Sequence, residues 1–170
     1  MKITSLNRNR SASYLRNFVF GVEDSLVATV GLLSGIAVAG VAGRTIFLTG
    51  IIFTFVEAFS MAVGSFLSES SAAEYAHEVA TRTTRPVIDG IVMFVSYFVS
   101  GFIPLFPYIV FDPSRAFSIS IVLSLAALFV LGVVGARLSG VSTIKSGARM
   151  FLVGGAAIAI GVLVGRLVTI

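Results

Sequence analysis

The sequence predicts an all-α integral membrane protein of five transmembrane helices, N-terminus cytoplasmic and C-terminus outside, and three observations carry that prediction. Of 170 residues, 56% are hydrophobic and 12% charged, whereas a soluble domain has about 45–50% apolar and about 25% charged residues; the mean hydropathy is +1.02. Five apolar stretches are long enough to cross the bilayer, since about 30 Å of hydrocarbon takes roughly 20 residues of helix. They are continuous, without the period-two alternation of a transmembrane barrel. Lys and Arg, finally, fall unevenly between the connections.

The first stretch, residues 18–40, contains Glu23 and Asp24. Its basic lead and "AVAGVAG" ending also suit a cleaved signal peptide, but the acidic pair and the length of the run favour a retained span. The second, residues 45–67, is interrupted by Glu57, and the third, residues 87–111, has Asp89 at its start and Pro104 and Pro107 near its end. Proline removes a backbone donor, so "FIPLFP" predicts a kink. The fourth covers residues 116–136 and the fifth residues 150–170, with Arg166 near its end. Residues 68–85 form a short cytoplasmic loop, and the chain is one transmembrane domain.

With the N-terminus in the cytoplasm, the inner side holds Lys2, Arg8, Arg10, Arg16, Arg82, Arg85, Arg137, Lys145 and Arg149, against Arg44, Arg115 and Arg166 outside. Cytoplasmic connections collect Lys and Arg, which sets the orientation and makes nucleic acid an unneeded partner for the net charge of +4. There is no Cys, which excludes disulfides and thiolate metal sites.

A carboxylate deep in the bilayer costs about 2.5–3.5 kcal/mol even on lenient insertion scales, so it faces a partner or a water-filled path. Asp24 lies about 9 Å past the inner end of the first span, and Met61 lies at a similar depth in the second. Glu57 shares a helix face with Met61, because i and i+4 stack. The three converge if the first two helices pack side by side, as their short "VAGR" connection suggests. Two carboxylates and a thioether suit a divalent first-row cation such as Fe(II) or Mn(II), since sulfur favours softer metals than oxygen-only sites do. Glu23 and Asp89 sit near span ends, where interfacial water gives them structural roles, and Arg166 can snorkel.

Small-residue motifs, "GLLSG" at Gly31–Gly35, "SMAVG" and "GVLVG" at Gly161–Gly165, offer close helix approach for a two-fold dimer. Enzyme chemistry has little to work with: the single His, His77, lies in a loop, and no H-E-x-x-H is present.

"GVEDSLVATVGLLSGIAVAG" followed by "EAFSMAVGSFLSESSAAEY" resembles the first two helices of the vacuolar iron transporter family, with its S-M-x-x-G-x-[YF]-[LV]-[SA] signature. "SYFVSGFIPLFPYIV" resembles its third helix and "GARMFLVGGAAIAIGVLVGRL" its last. The resemblance implies a homodimer of five-helix subunits exporting Fe(II) or Mn(II) from the cytosol in exchange for protons, along a path at the dimer interface. It implies metal-ligand roles for Asp24 and Met61. Some members place their helix-two glutamate near Phe53, so Glu57 is either a shifted substitute or a different feature. The long metal-collecting insert of many members is replaced by a short loop. Its Glu74, His77 and Glu78 form either a reduced metal-capture patch or a solvated acidic face. Ser65 stands where bacterial members have a further carboxylate.

The expected partners are membrane lipid, divalent metal ions and a second copy of the chain, with no cofactor beyond the transported metal. The membrane would be the inner membrane of a prokaryote or a vacuolar-type membrane of a eukaryote. The alternative function is a non-transporting membrane scaffold or partner subunit derived from that family.

Overall fold

A computed structural model describes residues 2–75, 84–140 and 142–168. The described residues form helices α1 (Lys2–Val38), α2 (Gly43–Tyr75), α3 (Thr84–Leu105), α4 (Pro107–Val110), α5 (Pro113–Ser139) and α6 (Thr143–Val168), with no strand among them. All but α4 contain a segment long and apolar enough to cross a membrane.

Helix ends follow local chemistry. α1 stops where Gly40 adopts a left-handed φ of +77°. The Gly40 and Val41 amides donate back to the Ala37 and Ile36 carbonyls, which is the Schellman pattern that closes a helix on glycine. α5 starts at Pro113, a residue whose missing N–H costs nothing in the first turn, and ends at left-handed Gly140.

Helix starts and extensions depart further from the apolar boundaries. The basic lead of α1 is helical from Lys2, because no Gly or Pro interrupts the chain before Gly21. α2 likewise continues past Leu67 to Tyr75 through a stretch without Gly or Pro. The third apolar stretch is divided at Phe106, between Pro104 and Pro107. There Ser120 Oγ of α5 donates to the Pro104 carbonyl at 2.8 Å.

Packing sets the site. α1 is central, with α3 and α6 as its main neighbours and α5 also against it. α2 leans chiefly on α3 and meets α1 far less, so the expected side-by-side pairing of the first two helices gives way to a wedge with α3 between them. Ile46, Gly50, Thr54 and Ala58 form the buried stripe of α2 at i, i+4 spacing. Its opposite side exposes Leu48, Ile52, Phe59, Val63 and Leu67.

The glycine motifs find each other within one chain. A Cβ on Gly161 would run into the Gly31 backbone, and one on Gly165 into the Gly35 backbone. The α1 and α6 motifs thus form an intrachain seam, correcting their assignment to a dimer contact. On α2, by contrast, Ser60 is exposed and Gly64 has open space where a side chain would be.

Candidate functional site

α1, α2 and α3 meet at one level near Gly101. A Cβ there would collide with Thr54 and touch Ser25 Oγ, so one small residue holds all three helices close. Ser25 Oγ donates to the Tyr97 carbonyl at 2.6 Å, binding α1 to α3 beside Asp24.

Around this junction stand Asp24 of α1 and Glu57 of α2, both half-buried. They flank it from two helices, Asp24 next to Ser25 and Glu57 one turn from Thr54. Tyr97 of α3 is fully buried between the helices, and its side chain is within electrostatic reach of both carboxylates. The Tyr97 hydroxyl and the Thr54 Oγ1 are buried without a hydrogen-bond partner. Buried polar atoms are nearly always partnered, and the exceptions mark places completed by a water, an ion or a ligand. Two acidic groups and two unpartnered hydroxyls at one junction give a cation oxygen donors and give a proton places to rest.

One turn toward the α1 N-terminus the surroundings change from oxygen to sulfur. Met61, also half-buried, follows Glu57 by a turn of α2, and Met93 precedes Tyr97 by a turn of α3. Met93 is 3% exposed, and its sulfur and carbonyl sit against Gly21 of α1. Both thioethers line a groove of 610 Å³ between the three helices.

At the end of that groove a third layer ties the helices together. Asp89 is fully buried. Its Oδ1 accepts from Asn17 Nδ2 at 2.7 Å and from Ser13 Oγ at 3.0 Å, while Oδ2 has no partner. Arg16 pairs with Glu69. The expectation that Asp89 reaches interfacial water is therefore corrected: the extended α1 covers it.

The remaining candidates are scattered. Glu23 is half-buried and faces a different groove, between α1, α5 and α6, together with Met150. Glu74 is exposed at the end of α2, and His77 and Glu78 lie outside the described residues. Ser65 Oγ is buried without a partner and lines the thioether groove. Among the described residues no three His, Cys, Asp or Glu side chains gather into a metal-holding group, so a cation would need the thioethers, hydroxyls or a second subunit as well.

Sequence reasoning missed Tyr97, Met93 and the Arg16–Glu69 pair. The signal for part of it was present: Glu57, Met61, Ser65 and Glu69 recur every fourth residue along α2, one face of a helix.

Comparison with known proteins adds a family. A model described as the VIT family matches residues 15–87 and 76–166. The chain is 26% identical over 169 residues to vacuolar iron transporter homolog 2 of Arabidopsis thaliana, across 92% of this chain and 85% of that relative.

Proposed function

The chain belongs to the VIT family, and from that premise we propose that it exports a divalent transition metal, Fe(II) or Mn(II), from the cytosol in exchange for protons. Asp24, Glu57 and Met61 are the metal-bearing residues of its path. The observation that carries this reading is the placing of two half-buried carboxylates, Asp24 next to Ser25 on α1 and Glu57 one turn from Thr54 on α2, at the junction where Gly101 of α3 meets Ser25 and the unpartnered Thr54 hydroxyl. Each carboxylate is costly inside a bilayer, and a passing cation offsets that cost. Once the cation leaves, the same groups can hold protons instead, which couples the two fluxes.

In this reading the N-terminus and residues 68–85 face the cytosol, in line with the Lys and Arg distribution. The path lies at a homodimer interface that completes the ligand set. The open strip of α2 at Ser60 and Gly64, flanked by exposed Val56, Phe59 and Val63, supports a second subunit there. The membrane is the inner membrane of a prokaryotic cell or a vacuolar-type membrane of a eukaryotic one.

The test is flux in proteoliposomes across a pH gradient, with Fe(II), Mn(II), Co(II) and Zn(II) in competition. Asp24→Asn abolishes and Met61→Ala weakens metal flux and its accompanying proton movement. Wild-type flux in both variants would remove the proposed site.

A further inference from the structure

The groove beside Met61 has a composition that the site at Asp24 and Glu57 does not explain. It carries two thioethers, Met61 and Met93, from different helices, a buried hydroxyl without a partner, Ser65 Oγ, and at its mouth the carboxylate of Glu69. The α2 donors are stacked at i, i+4 intervals, so they line one face, and Met93 faces them from α3. Sulfur and hydroxyl donors with a single carboxylate form a softer set than the oxygen-rich junction one turn deeper.

The carboxylate at the mouth is already engaged. Arg16 pairs with Glu69, and the two partners differ in exposure: the Arg16 side chain is 67% exposed and that of Glu69 is 18% exposed. Glu69 is therefore held in the groove wall, while its guanidinium partner reaches it from the open side. Glu69 also has a second donor within reach, since Ser13 Oγ lies 3.4 Å away and is shared with Asp89. Among the described residues that line the groove no other carries positive charge, and Arg16 sits on the carboxylate that a divalent cation entering the groove would meet.

We propose that this groove is a separate, outer metal site, a vestibule in which Glu69, Ser65, Met93 and Met61 receive a soft-to-borderline divalent cation such as Fe(II). Arg16 is its tethered competitor. An arriving cation displaces Arg16 from Glu69, is held by the two sulfurs, and passes inward by exchanging ligands along α2, with Met61 serving both sites. The inference rests on the transport reading above and deepens it.

The test is equilibrium binding of Fe(II), under anaerobic conditions, and of Mn(II) to the purified full-length protein, alongside flux. Glu69→Gln weakens binding of both metals at the vestibule by roughly tenfold or more, the scale on which metal sites respond to loss of a supporting group. Met93→Leu weakens Fe(II) binding more than Mn(II) binding. Arg16→Gln tightens binding of both metals in the wild-type background and changes nothing when Glu69 is already Gln. A merely structural Arg16 predicts weaker binding in both backgrounds. The vestibule is overturned if Arg16→Gln fails to tighten binding, or if Met93→Leu affects both metals equally or neither. Asp24→Asn separates the two readings. It stops flux while leaving the vestibule occupied, so a protein that transports through Asp24 yet ignores these three substitutions loses the vestibule alone. A wild-type protein that binds neither metal loses both.

Discussion

Replacing Gly161 with Ala puts a methyl group into the α1–α6 seam, where it meets the oxygen, carbonyl carbon and Cα of Gly31. These are backbone atoms of a helix and cannot rotate aside. Reaching ordinary contact requires the helices to part by more than about 1 Å, and a gap of only 0.5–1 Å already forfeits a quarter to a half of each dispersion contact it opens. The neighbouring approach of Gly165 to Gly35 opens with it. Overpacking of this kind costs about 1–3 kcal/mol. Gly155, on the same helix, has open space at its Cβ position, so Gly155→Ala carries no such cost and gains up to about 1 kcal/mol of helix propensity. At roughly 2–4 °C per kcal/mol for a chain of this size, Gly161→Ala melts several degrees below wild type in detergent and Gly155→Ala does not. Light scattering on the same samples finds an unchanged oligomeric state, because the seam lies within one chain. Equal melting of the two variants, or dissociation of an oligomer by Gly161→Ala alone, would refute the intrachain seam.

Further outcomes follow from other parts of the molecule. Tyr97→Phe deletes a buried hydroxyl that has no partner, so the metal-free protein gains about 1–3 kcal/mol in a denaturation titration; a loss of stability would mean that the hydroxyl is bonded. Arg16→Gln breaks an ion pair whose arginine is largely exposed, so thermal scans show a change below about 1 kcal/mol, and the variant remains folded for binding work. The chain has no Cys, so single cysteines report sidedness directly. In cells or sealed vesicles an impermeant maleimide labels Lys145→Cys from the side opposite to Arg115→Cys, and labelling of both from one side would contradict the five-span order.

How much of this was legible in the sequence varied with the kind of interaction involved. α5 was clear because Pro113 and Gly140 bracket a continuous apolar run. The pairing of Glu57 with Met61 was also clear, since it depends only on helical spacing. Asp89 was not. Its place at the edge of an apolar stretch suggests water, yet its partners Ser13 and Asn17 are more than 70 positions away in the chain. The same contact explains why the polar start of α1 escaped notice: a Ser-, Asn- and Arg-rich lead reads as a loop until something buried requires it as a helix. Tyr97 and Met93 were hidden for another reason. Asp89, Met93, Ser96, Tyr97 and Ser100 fall on one face of α3 and are all buried, but their spacing does not say that α1 and α2 are the helices this face meets. The glycine motifs were visible, but a motif does not name its partner, and the partner proved to be in the same chain.

The central claim is that Asp24 and Glu57 jointly hold a cation within the bundle. Electron paramagnetic resonance of Mn(II), titrated into purified wild type, Asp24→Asn and Glu57→Gln, tests it most directly, because the signal of free Mn(II) fades as the ion is bound. The account predicts saturable binding in the wild type to two classes of site, one of which is weakened by about tenfold or more in each variant while the other, the vestibule, persists. Binding curves for the two variants that coincide with the wild type would contradict it.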